Sequence, residues 1–139
     1  MYILDSSAIP IVLKRLKEKS VEALEGKTIL DLTRYELGNA IWKEHKIKKL
    51  VAVQEAVNKA EGMAKILEIL TVEKLESVEE FKSAMELAVK LKLTFYDASY
   101  LYKAKSMGLP LITEDRELRE KASDADVKTI TVNELLKIY

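Results

Sequence analysis

Four acidic residues lie at positions where their side chains could act together: Asp5, Glu36, Asp97 and Asp115. Asp5 directly follows a short apolar run, and Asp115 comes three residues after another. Glu36 and Asp97 each follow a threonine by three residues, a spacing that places them in the first turn of a helix. Converging carboxylates repel one another by roughly 4 kcal/mol for each close pair at an effective dielectric constant of 20. A divalent cation would neutralise such a cluster.

The donor types favour Mg²⁺ or Mn²⁺ as that cation. Carboxylate oxygens and water suit these hard ions, whereas the absence of cysteine and a single histidine, His45, argue against zinc. A cation held in this way could lower the pKa of a water molecule and stabilise the leaving oxygen of an in-line displacement. The four acids therefore favour phosphodiester hydrolysis.

Short apolar strands alternate with helices along the whole chain, which predicts how these acids are positioned. Uniformly apolar strands of this kind indicate a three-layer α/β/α sandwich around a mainly parallel sheet of about five strands. We expect one domain over residues 1–139, because this length leaves no room for two cores. The predicted strands are 2–4, 28–30, 69–72, 109–112 and 127–131, and the predicted helices include 33–50, 51–67 and one from 94 to Gly108.

The carboxyl edge of this sheet is where the acids are expected to meet. Asp5 and Asp115 follow strands directly, and the helix of Glu36 follows a strand, so it begins at the same edge. The helix of Asp97 follows another helix. Only the overall packing can bring Asp97 to the site.

Four segments of the chain resemble the acidic motifs of PIN domains, in the same order. They are residues 3–8 (ILDSSA), 35–40 (YELGNA), 96–99 (YDAS) and 111–115 (LITED). The resemblance covers essentially the whole chain and is greatest to the toxins of VapBC toxin–antitoxin modules. It implies a five-stranded parallel sheet, Mg²⁺- or Mn²⁺-dependent endoribonuclease activity on RNA, frequent homodimers, and inhibition by a small antitoxin protein.

The resemblance also implies residue roles. Asp5, Glu36, Asp97 and Asp115 would ligate the metal, while Ser6 and Thr113 match small polar residues that accompany the first and last acids. Glu114 and Glu117 flank Asp115, so either could share its role. Helical spacing places Asn39 and Lys43 on the face of Glu36, and Arg116 is adjacent to Asp115. We expect Asn39 to support the site and Lys43 and Arg116 to contact RNA phosphates.

Simpler explanations exist for each feature. Thr33 with Glu36, and Thr94 with Asp97, also match helix capping boxes, and Asp5 and Asp115 could be turn or cap residues. Capping does not explain why all four acids follow the family order. Four aromatic residues are interpreted first as core or partner contacts: Trp42, Tyr96, Tyr100 and Tyr102.

Other functions remain open to different degrees. A phosphoryl-transfer enzyme with Asp5 as nucleophile is disfavoured, because Ser7 stands where a haloacid-dehalogenase-like phosphatase has its second aspartate. A housekeeping RNA-processing nuclease and a non-catalytic RNA-binding PIN module are the alternatives to a toxin. The formal net charge is zero, since 23 basic residues balance 23 acidic ones. No overall positive field would attract RNA, so we expect any RNA contact to be local.

The N-terminus does not resemble a signal peptide, and no stretch approaches the roughly 18 apolar residues of a membrane span. We therefore expect a cytoplasmic protein without membrane contact. Scarce Asn and Gln beside abundant Lys and Glu indicate growth at high temperature.

Overall fold

A computed structural model describes residues 1–139 and contains one five-stranded, all-parallel sheet in the order β3-β2-β1-β4-β5. This confirms the predicted fold class. Each expected strand is present but short, and the third begins and ends later than predicted. The strands are β1 (Ile3–Leu4), β2 (Thr28–Leu30), β3 (Thr71–Glu73), β4 (Leu111–Ile112) and β5 (Thr129–Ile130).

Helices cover both faces of the sheet. They are α1 (Ala8–Leu16), α2 (Ser20–Leu24), α3 (Asp31–Lys46), α4 (Val53–Leu67), α5 (Val78–Leu91), α6 (Phe95–Met107), α7 (Arg116–Ala122) and α8 (Val132–Leu136), with 3₁₀ turns at Lys17–Lys19 and Ser123–Ala125. None of them combines the length and the apolar character needed to cross a bilayer.

The sheet separates two apolar cores, and alternate residues of the central strands face one core or the other. Leu4 and Ile112 face the core formed with α1, α2, α4 and α8, whereas Ile3 and Leu111 face the core formed with α6 and α7. All four side chains are fully buried. Burial on both faces explains why the strands are uniformly apolar rather than alternating with polar residues.

Helix α3 differs from the prediction at both ends. It begins at Asp31, two residues before Thr33, because the hydroxyl of Thr33 accepts a hydrogen bond from the backbone N–H of Leu30 at 3.2 Å. Glu36 consequently lies in the second turn of α3, not the first. The hydroxyl of Thr33 bonds to Leu30 and does not accept a hydrogen bond from the N–H of Glu36. The helix ends at Lys46 rather than residue 50.

Helix α6 begins and ends as the sequence predicts. The hydroxyl of Thr94 accepts a hydrogen bond from the N–H of Asp97 at 3.2 Å, and Gly108 ends the helix with a φ of +64°. Glycine adopts this left-handed conformation without the steric cost that a Cβ atom brings. The buried Lys103 also fixes α6, since its ammonium lies 2.6 Å from Glu80 on α5.

Candidate active site

The site lies where the strand order changes direction, at the carboxyl ends of β1 and β4. These central strands pair in parallel, with Leu4 opposite Ile112. The next residues, Asp5 and Thr113, are therefore neighbours across the end of the sheet. In open parallel sheets, ligands bind in the crevice at such a switch point.

Asp5 is buried and held by hydroxyl groups on both of its oxygens. Its relative exposure is 4%. Oδ1 accepts hydrogen bonds from the Ser7 hydroxyl at 2.5 Å and the Ser7 N–H at 3.1 Å, and Oδ2 accepts one from the Thr113 hydroxyl. Burial raises the pKa of the Asp5 carboxyl above its ordinary value, although the bonds from Ser7 and Thr113 lower it in part.

The same two hydroxyls also orient the chain after β4. Ser7 Oγ accepts a hydrogen bond from the N–H of Glu114 at 3.0 Å, and Thr113 Oγ1 accepts one from the N–H of Asp115 at 3.0 Å. Thr113, expected to accompany the last acid, binds Asp5 through its hydroxyl. Ser7, which the sequence did not single out, also binds Asp5, and a supporting role for Ser6 stays a prediction.

Asp97 lies close enough to the other three acids for their charges to act on it. Burial and, after it, repulsion from Asp115, Asp5 and Glu36 together raise the pKa of Asp97 from 3.8 to about 6. The packing of α6 therefore brings Asp97 to the edge at which the other acids lie.

Glu36 reaches the site from α3 and is held by α6. The phenol of Tyr100 donates a hydrogen bond to Glu36 Oε1 at 2.7 Å. Tyr100 is three residues after Asp97 and therefore lies on the same side of α6. This bond places the carboxylate of Glu36 near that of Asp97.

Asp115 combines a capping role with its place in the cluster. Its Oδ1 accepts a hydrogen bond from the N–H of Leu118 at 3.0 Å, which caps α7. Glu114 is turned away, because its Oε1 accepts a hydrogen bond from Val132 N–H at 2.6 Å and so stabilises the start of α8. Glu117 forms an exposed ion pair with Lys121. Neither neighbour is placed as an alternative to Asp115.

The residues expected to contact RNA are less well placed than the acids. Arg116 is exposed and paired with Glu120 at 3.0 Å. Lys43 is exposed on α3, two turns beyond Glu36. Arg119, which the sequence did not single out, is bound to the chain just after β4: its guanidinium donates to the carbonyl oxygen of Thr113 at 3.3 Å.

Asn39 shares a surface groove of about 460 Å³ with Glu36, between the exposed rings of Tyr35 and Tyr96. Tyr96 is thus a surface residue, whereas Tyr100 belongs to the core as predicted. Trp42 is 51% exposed and is not a core residue.

The four acids supply only hard oxygen donors, which suits Mg²⁺ or Mn²⁺. After burial, the negative charges of Asp115, Asp5 and Glu36 raise the pKa of Asp97 further, and such a cation would neutralise these charges. The carboxylates do not form a closed set of ligands, however, because no three of them could hold an ion as they stand. Asp115 and Glu36 each have one oxygen engaged in the hydrogen bonds described above, so cation binding requires side-chain adjustment.

These features define an α/β protein that presents a cluster of carboxylates at the switch point of a parallel sheet. The PIN-domain family model matches residues 2–124. The chain therefore belongs to the PIN-domain family.

Two relatives from Pyrobaculum aerophilum extend this result. Exonuclease VapC9 is 38% identical over 134 residues, which are 94% of this chain and 93% of that protein. Ribonuclease VapC3 is 35% identical over 124 residues, which are 86% of this chain and 92% of that protein.

Solved structures agree with the fold. The crystal structure of PAE2754 from Pyrobaculum aerophilum has a TM-score of 0.80 at 37% identity and covers 97% of this chain and 91% of that one. A toxin–antitoxin complex from Klebsiella pneumoniae has a TM-score of 0.60 at 20% identity, covers 86% of this chain and 90% of that one, and supports the fold alone.

Proposed function

We propose that this chain is a Mg²⁺- or Mn²⁺-dependent ribonuclease whose metal ligands are Asp5, Glu36, Asp97 and Asp115. The observation that carries the proposal is that these four acids lie near one sheet edge, where Asp115, Asp5 and Glu36 each add to the rise that burial causes in the pKa of Asp97. The names of the relatives VapC9 and VapC3 support nuclease chemistry. The cation, when bound, would activate a water molecule and stabilise the charge that develops on the phosphate.

The chain's own residues prepare this chemistry by fixing the carboxylates. Ser7 and Thr113 hold the two oxygens of Asp5 in one orientation, and the start of α7 holds Asp115. Arg119, which is anchored to the backbone at Thr113, is the cation best placed to meet an approaching phosphate. These contacts restrict the side chains, so less ordering remains when a cation draws the carboxylates together.

The direct test is incubation of the purified chain with mixed RNAs in Mg²⁺ or Mn²⁺, beside samples that contain EDTA. We expect fragments only in the presence of the metal. Cleavage of equal extent in EDTA would contradict a metal-dependent mechanism, and intact RNA under all conditions would favour the non-catalytic alternative.

We further propose that the cut is internal, although one relative is named an exonuclease. The carboxylates lie at an open sheet edge beside a surface groove rather than at the end of a closed tunnel. A circular RNA has no ends, so only an endonuclease converts it to linear product. If circular RNA persists while a linear RNA of the same sequence is degraded, the exonuclease alternative is correct.

We also propose that a small antitoxin binds the groove between α1, α3 and α4. This groove has a volume of about 700 Å³ and a mainly apolar lining that includes Leu13, Ile41, Met63 and Ile66. In α4 only Leu67 is buried, so much of this helix is available to a partner. An amphipathic helix is the type of segment that fits such a surface.

Gly62 offers a specific test of this groove. It lines the groove, and a Cβ atom at this position would meet nothing within 4 Å. We expect Gly62→Trp to fill the groove and abolish co-purification with the protein encoded by an adjacent small reading frame, while RNA cleavage remains. Gln54→Trp is a matched control, because Gln54 is exposed on α4 and does not line this groove. Equal co-purification by the parent and Gly62→Trp would exclude this groove.

A homodimer is also proposed, and the exposed apolar side chains of α5 support it. Val78, Phe81, Met85 and Val89 are 83%, 54%, 45% and 72% exposed and recur at helical spacing. Light scattering of the purified chain should then give about twice the monomer mass of 15.8 kDa. A mass of one chain at all concentrations tested would contradict the dimer.

A further inference from the structure

A chain of buried hydroxyl groups connects α3 to α6 and ends on Glu36. The N–H of Leu30 donates to Thr33 Oγ1 at 3.2 Å, and Thr33 Oγ1 lies 2.6 Å from the phenol oxygen of Tyr100. The phenol in turn lies 2.7 Å from Glu36 Oε1. Thr33 is fully buried, and Tyr100 is 1% exposed. Both hydroxyls are therefore shielded from competing water.

The hydrogen-bond donors and acceptors in this row of hydroxyl groups have only one consistent arrangement. A backbone N–H can only donate, so Thr33 uses a lone pair toward Leu30 and keeps its own proton for Tyr100. An ionised carboxylate can only accept, so the proton of Tyr100 points to Glu36. Each hydroxyl thus accepts one hydrogen bond and donates one. No buried side-chain polar atom in the protein lacks a partner.

This arrangement fixes a side chain that would otherwise be mobile. Glu36 is only partly buried and has more rotatable bonds than an aspartate. The phenol holds Oε1 and leaves Oε2 free to face the crevice. Because Tyr100 and Asp97 share one side of α6, the same hydrogen bond sets the position of Glu36 relative to Asp97.

We propose that Tyr100, oriented by Thr33, is a positioning residue that holds Glu36 next to Asp97 in readiness for a divalent cation; this inference rests on the function proposed above. Tyr100 does not touch the substrate or the reacting atoms. Its hydroxyl acts through Glu36. The ring of Tyr100 has a separate role in the core with Ile3 and Leu101.

Tyr100→Phe tests the hydroxyl while it preserves the ring. We expect this variant to bind Mn²⁺ about 10- to 100-fold more weakly in calorimetry, the range typical of residues that orient metal ligands. At saturating Mn²⁺ we expect the rate of RNA cleavage to return to within a few-fold of the parent. Tyr102→Phe is the matched control, because Tyr102 lies on the same helix, is partly buried, and does not bond to an acid of the cluster.

Thr33 and Glu36 supply further variants that separate positioning from packing. Thr33→Val should weaken Mn²⁺ binding in the same direction, and Thr33→Ser should restore it, because serine keeps the hydroxyl. In a Glu36→Gln background, Tyr100→Phe should cause little further loss, since the two residues act through one contact. Additive losses in the double variant would overturn the proposal.

A measurement on metal-free protein separates this inference from the proposed function. NMR relaxation of the Glu36 side chain should show greater mobility in Tyr100→Phe than in the parent. Unchanged mobility, or unchanged Mn²⁺ affinity with a lowered melting temperature, would show that Tyr100 serves packing alone and would overturn the proposal. If instead Glu36 becomes mobile but the parent neither binds Mn²⁺ nor cleaves RNA, the positioning contact is real and the proposed function is wrong.

Discussion

Asp5→Asn is expected to lower RNA cleavage by on the order of 10²–10³-fold or more, the effect typical of removing one preorganised charge-stabilising group. Asp5 is the most deeply buried of the four acids, and both of its oxygens are oriented by hydroxyls. The amide is nearly the same shape but carries no charge, so it is a poor ligand for Mg²⁺ or Mn²⁺. Initial cleavage rates at saturating metal measure the effect.

The stability of Asp5→Asn distinguishes a functional loss from unfolding. Burial already disfavours the charge of Asp5, as its raised pKa shows. The neutral variant should therefore melt at the same temperature as the metal-free parent or higher. Asp31→Asn is the control, because Asp31 is an exposed acid at the carboxyl end of β2. This variant should cleave RNA at the parental rate. Full activity in Asp5→Asn would refute the assignment of this residue.

Asp97 should make the metal-free protein less stable as the pH rises. Its pKa is about 6 in the folded chain, against 3.8 for an ordinary aspartate. Between these values the folded protein keeps a proton that the unfolded chain has lost, so the free energy of unfolding falls with rising pH. The fall should begin near pH 4 and level off above about pH 7. Melting temperatures in EDTA across this range measure it.

Asp97→Asn should flatten this part of the profile and raise the melting temperature at pH 8. Mn²⁺ should stabilise the parent at pH 8, because ligand binding to the folded state alone shifts the equilibrium, and it should stabilise Asp97→Asn much less. Asp124→Asn is a suitable control, since Asp124 is exposed in a 3₁₀ turn. A parental profile in Asp97→Asn would show that another group causes the pH dependence.

The sequence predicts the sheet well because parallel strands buried on both faces leave a clear apolar pattern. The first and last residues of most strands are predicted less well. Residues 109 and 110 precede β4, and 127 and 128 precede β5, although the carbonyl oxygens of Pro110 and Lys128 still accept hydrogen bonds from Ile3 and Leu111. The start of α3 was misplaced for a different reason. Thr33 and Glu36 have the spacing of a capping box, but the hydroxyl of Thr33 bonds to Leu30 and, through Tyr100, to α6.

Site residues that lie next to a strand could likewise be predicted from the sequence, whereas those positioned by helix packing could not. Asp5 and Asp115 could be assigned to the carboxyl edge because Asp5 directly follows β1 and Asp115 lies three residues after the end of β4. Whether Asp97 reaches that edge depends on how α5 and α6 pack, which no local pattern encodes. The hydrogen bonds of Ser7 to Asp5 were not predicted, since two adjacent serines cannot be distinguished without the geometry of the turn. The aromatic residue Tyr100 was correctly placed in the core, but its hydroxyl partner comes from a different helix.

The most direct test of the metal-dependent mechanism is a Mn²⁺ titration in which bound metal and RNA cleavage are measured in the same samples. Electron paramagnetic resonance reports the free ion, and initial rates report the activity. We predict that cleavage rises in parallel with Mn²⁺ bound to the parent chain, and that Asp5→Asn loses both together. Cleavage at full rate before any Mn²⁺ is bound would contradict the proposal that these carboxylates act through a cation.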